Sequence, residues 1–83
     1  MHYSRIEGIN FLEILYASAK TTSPQTFQIT ADSSVVFPTY NILFRLNDPD
    51  NNEYRVVLGK DKTLTLLDPM PADIHYVIGA VTY

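Results

Sequence analysis

The chain has 83 residues, no cysteine and a formal net charge of −3. This length allows one domain, residues 1–83, with a single core that no disulfide stabilises. Its six Lys and Arg residues are scattered among nine acids, which argues against a nucleic-acid partner, since phosphate binding depends on clustered cations. No secretory signal pattern and no apolar run of membrane-spanning length is visible, so we expect a soluble protein without a membrane partner.

The composition favours a protein interface. Charged residues make up 18% of the chain, against about 25% in an average domain, and there are six tyrosines and four phenylalanines. Low charge and abundant aromatic side chains are typical of the centres of protein–protein contacts. We therefore expect part of the surface to be buried against a partner.

The N-terminal segment predicts a helix over about residues 5–19. Ser4 and Glu7 have the spacing of a capping box, and several good helix formers follow before Pro24. The alternative is a strand, because Gly8 would fall in the first helical turn and the segment is rich in β-branched and aromatic residues. Its apolar residues also spread nearly all round a helical wheel, which is a poor amphipathic pattern.

The rest of the chain predicts strands. Alternating or extended apolar patterns occur over 26–30, 35–37, 40–46, 53–58, 63–67 and 74–83. Residues 47–52 are dense in turn formers and join two of these strands in a hairpin. The last segment is apolar on both faces, which predicts a central strand or one that is covered on both sides.

Together these elements predict an α+β fold, with an N-terminal helix packed on an antiparallel sheet of four or five strands. The alternative is an all-β sandwich or a partly open barrel. The run Leu64-x-Leu66…Asp73-x-x-Tyr76-x-Ile78 resembles the strand–corner–strand passage of immunoglobulin-like and fibronectin-type sandwiches. That resemblance implies the all-β alternative and nothing about function.

Metal and cofactor chemistry is not indicated. Asp48-x-Asp50-x-Asn52 has the alternating oxygens with which a calcium loop begins, but Glu53 follows where that loop needs glycine. We interpret these residues as a polar hairpin turn. The three glycines are isolated from one another and form no phosphate-binding loop, so we expect no metal and no cofactor.

Catalysis is not indicated either. His75 is the one histidine away from the N-terminus, and Asp73 lies on the same face of a predicted strand. A histidine–carboxylate pair needs a nucleophile to act on, and no cysteine or serine elbow accompanies it. The sequence therefore predicts that the protein is not an enzyme.

The functional hypothesis is a non-catalytic protein-binding or assembly module that self-associates through a sheet face or edge. The alternative is a small acidic inhibitor, of the immunity-protein or phage-encoded type, that blocks a larger enzyme. We expect it in the cytoplasm or assembled into a larger particle. Candidate partner-binding residues are the freer tyrosines and the acids of the 48–53 turn: Tyr3, Tyr16, Tyr83, Asp48, Asp50 and Glu53.

Overall fold

The computed structural model describes residues 1–17, 24–31, 33–71 and 76–83. Within these residues the chain forms seven strands and no helix. The strands are β1 (His2–Ile6), β2 (Ile9–Ala17), β3 (Gln25–Gln28), β4 (Ile42–Asn47), β5 (Glu53–Leu58), β6 (Thr63–Leu66) and β7 (Tyr76–Thr82). They form one antiparallel sheet in the order β1-β2-β7-β4-β5-β6-β3, which curls into a half-barrel.

The predicted α+β class and its N-terminal helix are wrong. The segment is instead the β1–β2 hairpin, in which Ser4, the predicted helix cap, lies opposite Phe11. Glu7 and Gly8 have φ angles of 51° and 80°, the two left-handed positions of a type I′ turn. Such a turn matches the twist of the flanking strands and therefore favours a hairpin. The β-branched and aromatic residues of the segment favour strands as well, and they outweigh its helix-forming residues. Predicted helical residues 18 and 19 lie outside the described residues.

The all-β alternative is correct in class. Its partly open barrel agrees in part with the half-barrel, whereas a sandwich of two sheets does not, because the strands belong to one sheet. The predicted β4–β5 hairpin is confirmed, with Ile42 opposite Leu58 and Asn47 opposite Glu53. Strands β3, β6 and β7 also fall where the sequence predicts them, while residues 35–37 form no strand.

The core lies on the inner, concave face of the half-barrel. Alternate residues of the strands point to this face, and Leu12, Leu46 and Val77 are fully buried there. Met70, which follows β6, adds a buried side chain from outside the strands. The core cluster consists of Leu12, Ile14, Leu46, Tyr54, Val56, Leu58, Leu64, Leu66, Met70, Val77 and Val81.

Strand β7 is central, as its sequence predicts, and lies between β2 and β4. Gly79 faces the backbone of β4. A Cβ atom built there would lie against the Arg45 carbonyl oxygen and 2.8 Å from Leu46 Cδ2, closer than real Cβ contacts. Glycine is therefore needed for this approach of the two strands.

Candidate interaction surface

Two apolar patches lie on the outer, convex face of the sheet. The first, which we call the hairpin patch, consists of Ile6, Ile9 and Phe11 at the tip of the β1–β2 hairpin. Ile6 and Ile9 form the pair that closes the turn, and they are 71% and 60% exposed. Together with Ser4, Glu7 and Thr82, the hairpin patch lines a groove of about 360 Å³.

The second patch, which we call the central patch, consists of Leu15, Tyr76 and Ile78. Leu15 of β2 lies directly opposite Ile78 of β7, and the two side chains are 57% and 37% exposed. Tyr76 is also exposed, two residues away on the same face of β7. A pair of large apolar side chains in the middle of a sheet face is a surface that contact with another molecule would bury favourably.

The outer face of β4 and β5 is different, because it carries a charged pair. Arg45 lies directly opposite Arg55, an arrangement of like charges that is unfavourable by itself. Each guanidinium has its own carboxylate: Arg45 Nε lies 3.4 Å from Glu53 Oε2, and Arg55 Nη2 lies 2.8 Å from Asp68 Oδ1. Hydrogen bonds from the Arg55 side chain and amide lower the pKa of Asp68 to about 2. Ion pairs thus cover the Arg45 and Arg55 part of this face, while Leu43, two residues before Arg45 and directly opposite Val57, stays 58% exposed.

Tyr3 and Tyr83, two predicted contact residues, make internal hydrogen bonds. The Tyr3 hydroxyl donates to Asn10 Oδ1 at 2.5 Å, and Asn10, which is buried, donates through Nδ2 to the Tyr83 carbonyl oxygen at 3.1 Å. The Tyr83 hydroxyl donates to the Val36 carbonyl oxygen at 2.5 Å. Burial, with a smaller contribution from Tyr3, raises the pKa of Tyr83. These contacts connect β1, β2, the end of β7 and the segment before β4.

Tyr16, the third predicted tyrosine, lies on the inner face of β2. Its ring packs at a tilted angle against Phe27 of β3, with 5.7 Å between the ring centroids. Strands β2 and β3 are far apart in the sheet order, so this contact spans the open side of the half-barrel. The three tyrosines are therefore half-buried supports of the inner face, and a direct contact of each with a partner stays a prediction.

Asp48 of the 47–52 turn is buried, and its carboxylate organises the turn. Its Oδ1 accepts from the amides of Asp50 and Asn52, and its Oδ2 accepts from the Asn52 side chain at 3.0 Å and the Tyr54 hydroxyl at 2.9 Å. Burial opposes ionisation, but the hydrogen bonds outweigh it and lower the pKa of Asp48. The calcium-like spacing therefore serves the backbone of the turn itself.

The other two acids of this turn face solvent. Asp50 is exposed at the tip, and the exposed Glu53 carboxylate pairs with Arg45. Within the described part of the chain, no group of three or more His, Asp or Glu side chains lies close enough to hold a metal ion. The His75 and Asp73 pair lies outside the described residues.

Sequence reasoning missed both apolar patches. The signal was present, since segments 9–17 and 74–83 carry apolar residues on both faces, but the pattern does not tell which of the two faces is exposed. In the structure Val77 and Val81 are buried, so Ile78 faces outward. Alternation divides the two faces of a strand, and it does not say which face of a two-sided apolar strand is covered.

Comparison with known proteins adds no further identification. None of the described residues forms a helix long and apolar enough to cross a membrane. A scan against protein-family models, a search of curated proteins and a search of solved structures found no match to the chain.

Proposed function

We propose that this chain is a non-catalytic assembly module that associates with copies of itself through the outer face and an edge of its sheet. The observation that carries the proposal is the hairpin patch, where the largely exposed Ile6 ends the edge strand β1 and the largely exposed Ile9 lies opposite it on β2. Large exposed apolar side chains next to an end strand are features that monomeric proteins usually avoid. The central patch offers a second apolar surface on the same face.

The energy available from these patches is of the right order for association. Burying an exposed Leu or Ile side chain contributes about 1.5–3 kcal/mol. The loss of translational and rotational freedom on dimer formation costs about 4–15 kcal/mol. One patch in each of two copies supplies at least four such side chains, whose full burial contributes about 6–12 kcal/mol, so a symmetric contact reaches the lower part of that cost where a single exposed residue cannot.

Solution mass tests the proposal directly. We expect light scattering over a concentration series to show a dimer or a larger closed species. We expect the double variant Ile6→Ser/Ile9→Ser or Leu15→Ser/Ile78→Ser to shift the equilibrium toward monomer while the far-ultraviolet spectrum stays unchanged. Tyr40→Ser is the matched control, because it removes an exposed large side chain that lies outside the strands. A monomer at all concentrations contradicts the proposal, and association that survives both double variants contradicts the part of it that assigns the contact to the two patches.

The inhibitor alternative rests on the acidic turn. With Asp48 engaged inside the turn, its acidic surface consists of Asp50 and Glu53. Binding of these carboxylates to a basic cleft would weaken steeply with salt, whereas burial of the apolar patches would not. An unchanged mass between low and high salt therefore favours assembly, and a monomer that captures a larger basic partner only at low salt favours inhibition.

A further inference from the structure

The β1 strand has a free backbone edge whose geometry follows from its neighbour. Asn10 of β2 exchanges both backbone hydrogen bonds with Tyr83, at 2.8 and 3.0 Å, so its amide and carbonyl point away from β1. Hydrogen-bonded and non-hydrogen-bonded pairs alternate along an antiparallel ladder. Arg5, which lies opposite Asn10, and Tyr3, which lies opposite Leu12, therefore belong to non-hydrogen-bonded pairs.

The N–H and C=O groups of Tyr3 and Arg5 consequently point to the outside of the sheet. β1 is an end of the strand order, so within the described residues no strand satisfies these groups. The sequence of β1, His2-Tyr3-Ser4-Arg5-Ile6, contains no proline or lysine, the residues that commonly keep an edge strand from pairing with another chain. β3, at the other end of the order, is one residue shorter and follows Pro24 directly.

We propose, on the basis of the self-association proposed above, that β1 pairs antiparallel with β1 of a second copy about a twofold axis through Ser4. Tyr3 and Arg5 lie symmetrically on either side of Ser4. In this register Tyr3 of each copy lies opposite Arg5 of the other, and each of these pairs exchanges both backbone hydrogen bonds. The two half-barrels then share one continuous sheet, with their outer faces on the same side.

Neighbouring registers are less favourable for reasons of charge and overlap. An axis through Arg5 brings two Arg5 guanidinium groups together and pairs Tyr3 with Glu7, which belongs to the turn. An axis through Tyr3 leaves Arg5 and Ile6 without strand partners. The Ser4 register overlaps all five residues of β1, and it places each Arg5 guanidinium beside the Tyr3 ring of the other copy, where a cation–π contact is favourable.

The same register engages the hairpin patch. Directly opposed residues share a face, so His2 of one copy lies beside Ile6 of the other on the outer side. Ser4 and Ile6 already line the groove of the hairpin patch. The imidazole of the second copy therefore extends the wall of this groove and covers part of Ile6, its most exposed isoleucine. Edge pairing thus also covers part of the hairpin patch.

A single cysteine tests the register, because the chain has none of its own. The two Ser4 residues would form a non-hydrogen-bonded antiparallel pair with Cα atoms about 4.5 Å apart, within the range of a disulfide. We expect Ser4→Cys to form a disulfide-linked dimer in a glutathione redox buffer at least tenfold faster than the control Thr26→Cys. Thr26 is exposed near the middle of β3, the end strand that the proposal does not use.

A second variant tests the backbone edge itself. Arg5→Pro removes an N–H that points outward and is not used in the β1–β2 ladder, so the hairpin keeps its hydrogen bonds. We expect this change, introduced into Ser4→Cys, to lower the crosslinking rate to that of Thr26→Cys while the far-ultraviolet spectrum is retained. Should the variant lose that spectrum, the comparison of Ser4→Cys with Thr26→Cys decides alone.

The outcomes separate this inference from the proposed function. A dimeric mass together with rapid Ser4→Cys crosslinking supports both. A dimeric mass with Ser4→Cys no faster than Thr26→Cys overturns the β1 pairing and leaves assembly through the outer face standing. A monomeric mass at every concentration overturns the proposed function and the β1 pairing with it.

Discussion

The β1–β2 and β4–β5 hairpins reverse the direction of the chain with two different kinds of turn. In β4–β5 a five-residue turn, 48–52, is organised by a side chain, the buried Asp48 carboxylate, which accepts four hydrogen bonds. In β1–β2 a two-residue turn depends on backbone conformation alone, with Glu7 and Gly8 both at positive φ. The β4–β5 hairpin lies in the middle of the sheet, and the β1–β2 hairpin ends at a free edge.

The difference shows that the two kinds of turn are not equally easy to predict from a sequence. A side-chain-organised turn is dense in Asp, Asn and Pro, so residues 47–52 predict it directly. A two-residue turn offers only Glu7-Gly8, and Glu at a left-handed position is unusual. The edge hairpin is therefore expected to be both harder to predict and easier to weaken through its backbone.

Among the variants that test this contrast, we expect Gly8→Ala to change the free energy of unfolding most. A left-handed conformation costs a residue with a Cβ about 1–2 kcal/mol, while the space around Gly8 is open, so conformational strain is the whole effect. We expect the free energy of unfolding in urea to fall by about that amount. Gly8→Asn is the control, because asparagine tolerates positive φ, and an equal loss for both variants would show that the turn is not the cause.

The same substitution, tyrosine to phenylalanine, compares how much one side-chain hydroxyl contributes to the stability of each hairpin. Tyr54→Phe removes a buried hydrogen bond to the Asp48 carboxylate, and we expect a loss of about 1 kcal/mol. Tyr3→Phe removes the bond to Asn10 in the half-buried end of the sheet, and we expect a smaller loss. The urea midpoints of the two variants measure this order, and the reverse order would mean that the edge hairpin depends on side chains more than the central one does.

Glu7→Asn is expected to stabilise the edge hairpin. Asn-Gly is the preferred pair of a type I′ turn, and the change relieves part of the strain at a φ of 51°. We expect a gain of about 0.5 kcal/mol, a fraction of the 1–2 kcal/mol that a left-handed residue costs. Thermal unfolding of Glu7→Asn beside Glu7→Gln separates turn conformation from loss of charge, since only the asparagine should raise the midpoint.

The smallest expected effect is a pH dependence of the free energy of unfolding, which arises from the Arg55–Asp68 pair beside the β4–β5 hairpin. The pKa of Asp68 is about 2 in the folded chain, below its ordinary value of 3.8, because Arg55 binds the carboxylate. A lowered pKa stabilises the fold above pH 3.8, and this contribution is lost as the pH falls from there toward 2. We expect Asp68→Asn to lose less stability over that range than the wild-type chain. Equal acid dependence of the two proteins would show that the Arg55–Asp68 pair contributes nothing.

The sequence predicts those parts of the fold that depend on local pattern. Residues 40–46 and 53–58 alternate around a turn-rich segment, and the predicted β4–β5 hairpin forms there. The apolar C-terminal segment predicts a central strand, and β7 is central. For the candidate surface, the sequence indicates low charge and a two-faced sheet, while the residues that form the patches were not identified.

Only the tertiary structure decides which elements become edges and which faces become covered. Whether residues 9–17 form a helix or a strand depends on their pairing with β7, and the bonds between Asn10 and Tyr83 join residues 73 positions apart. The same pairing leaves β1 at the edge and turns Leu15 and Ile78 outward. Local propensity and alternation act over a few residues, whereas these choices follow from long-range strand order and the curl of the sheet.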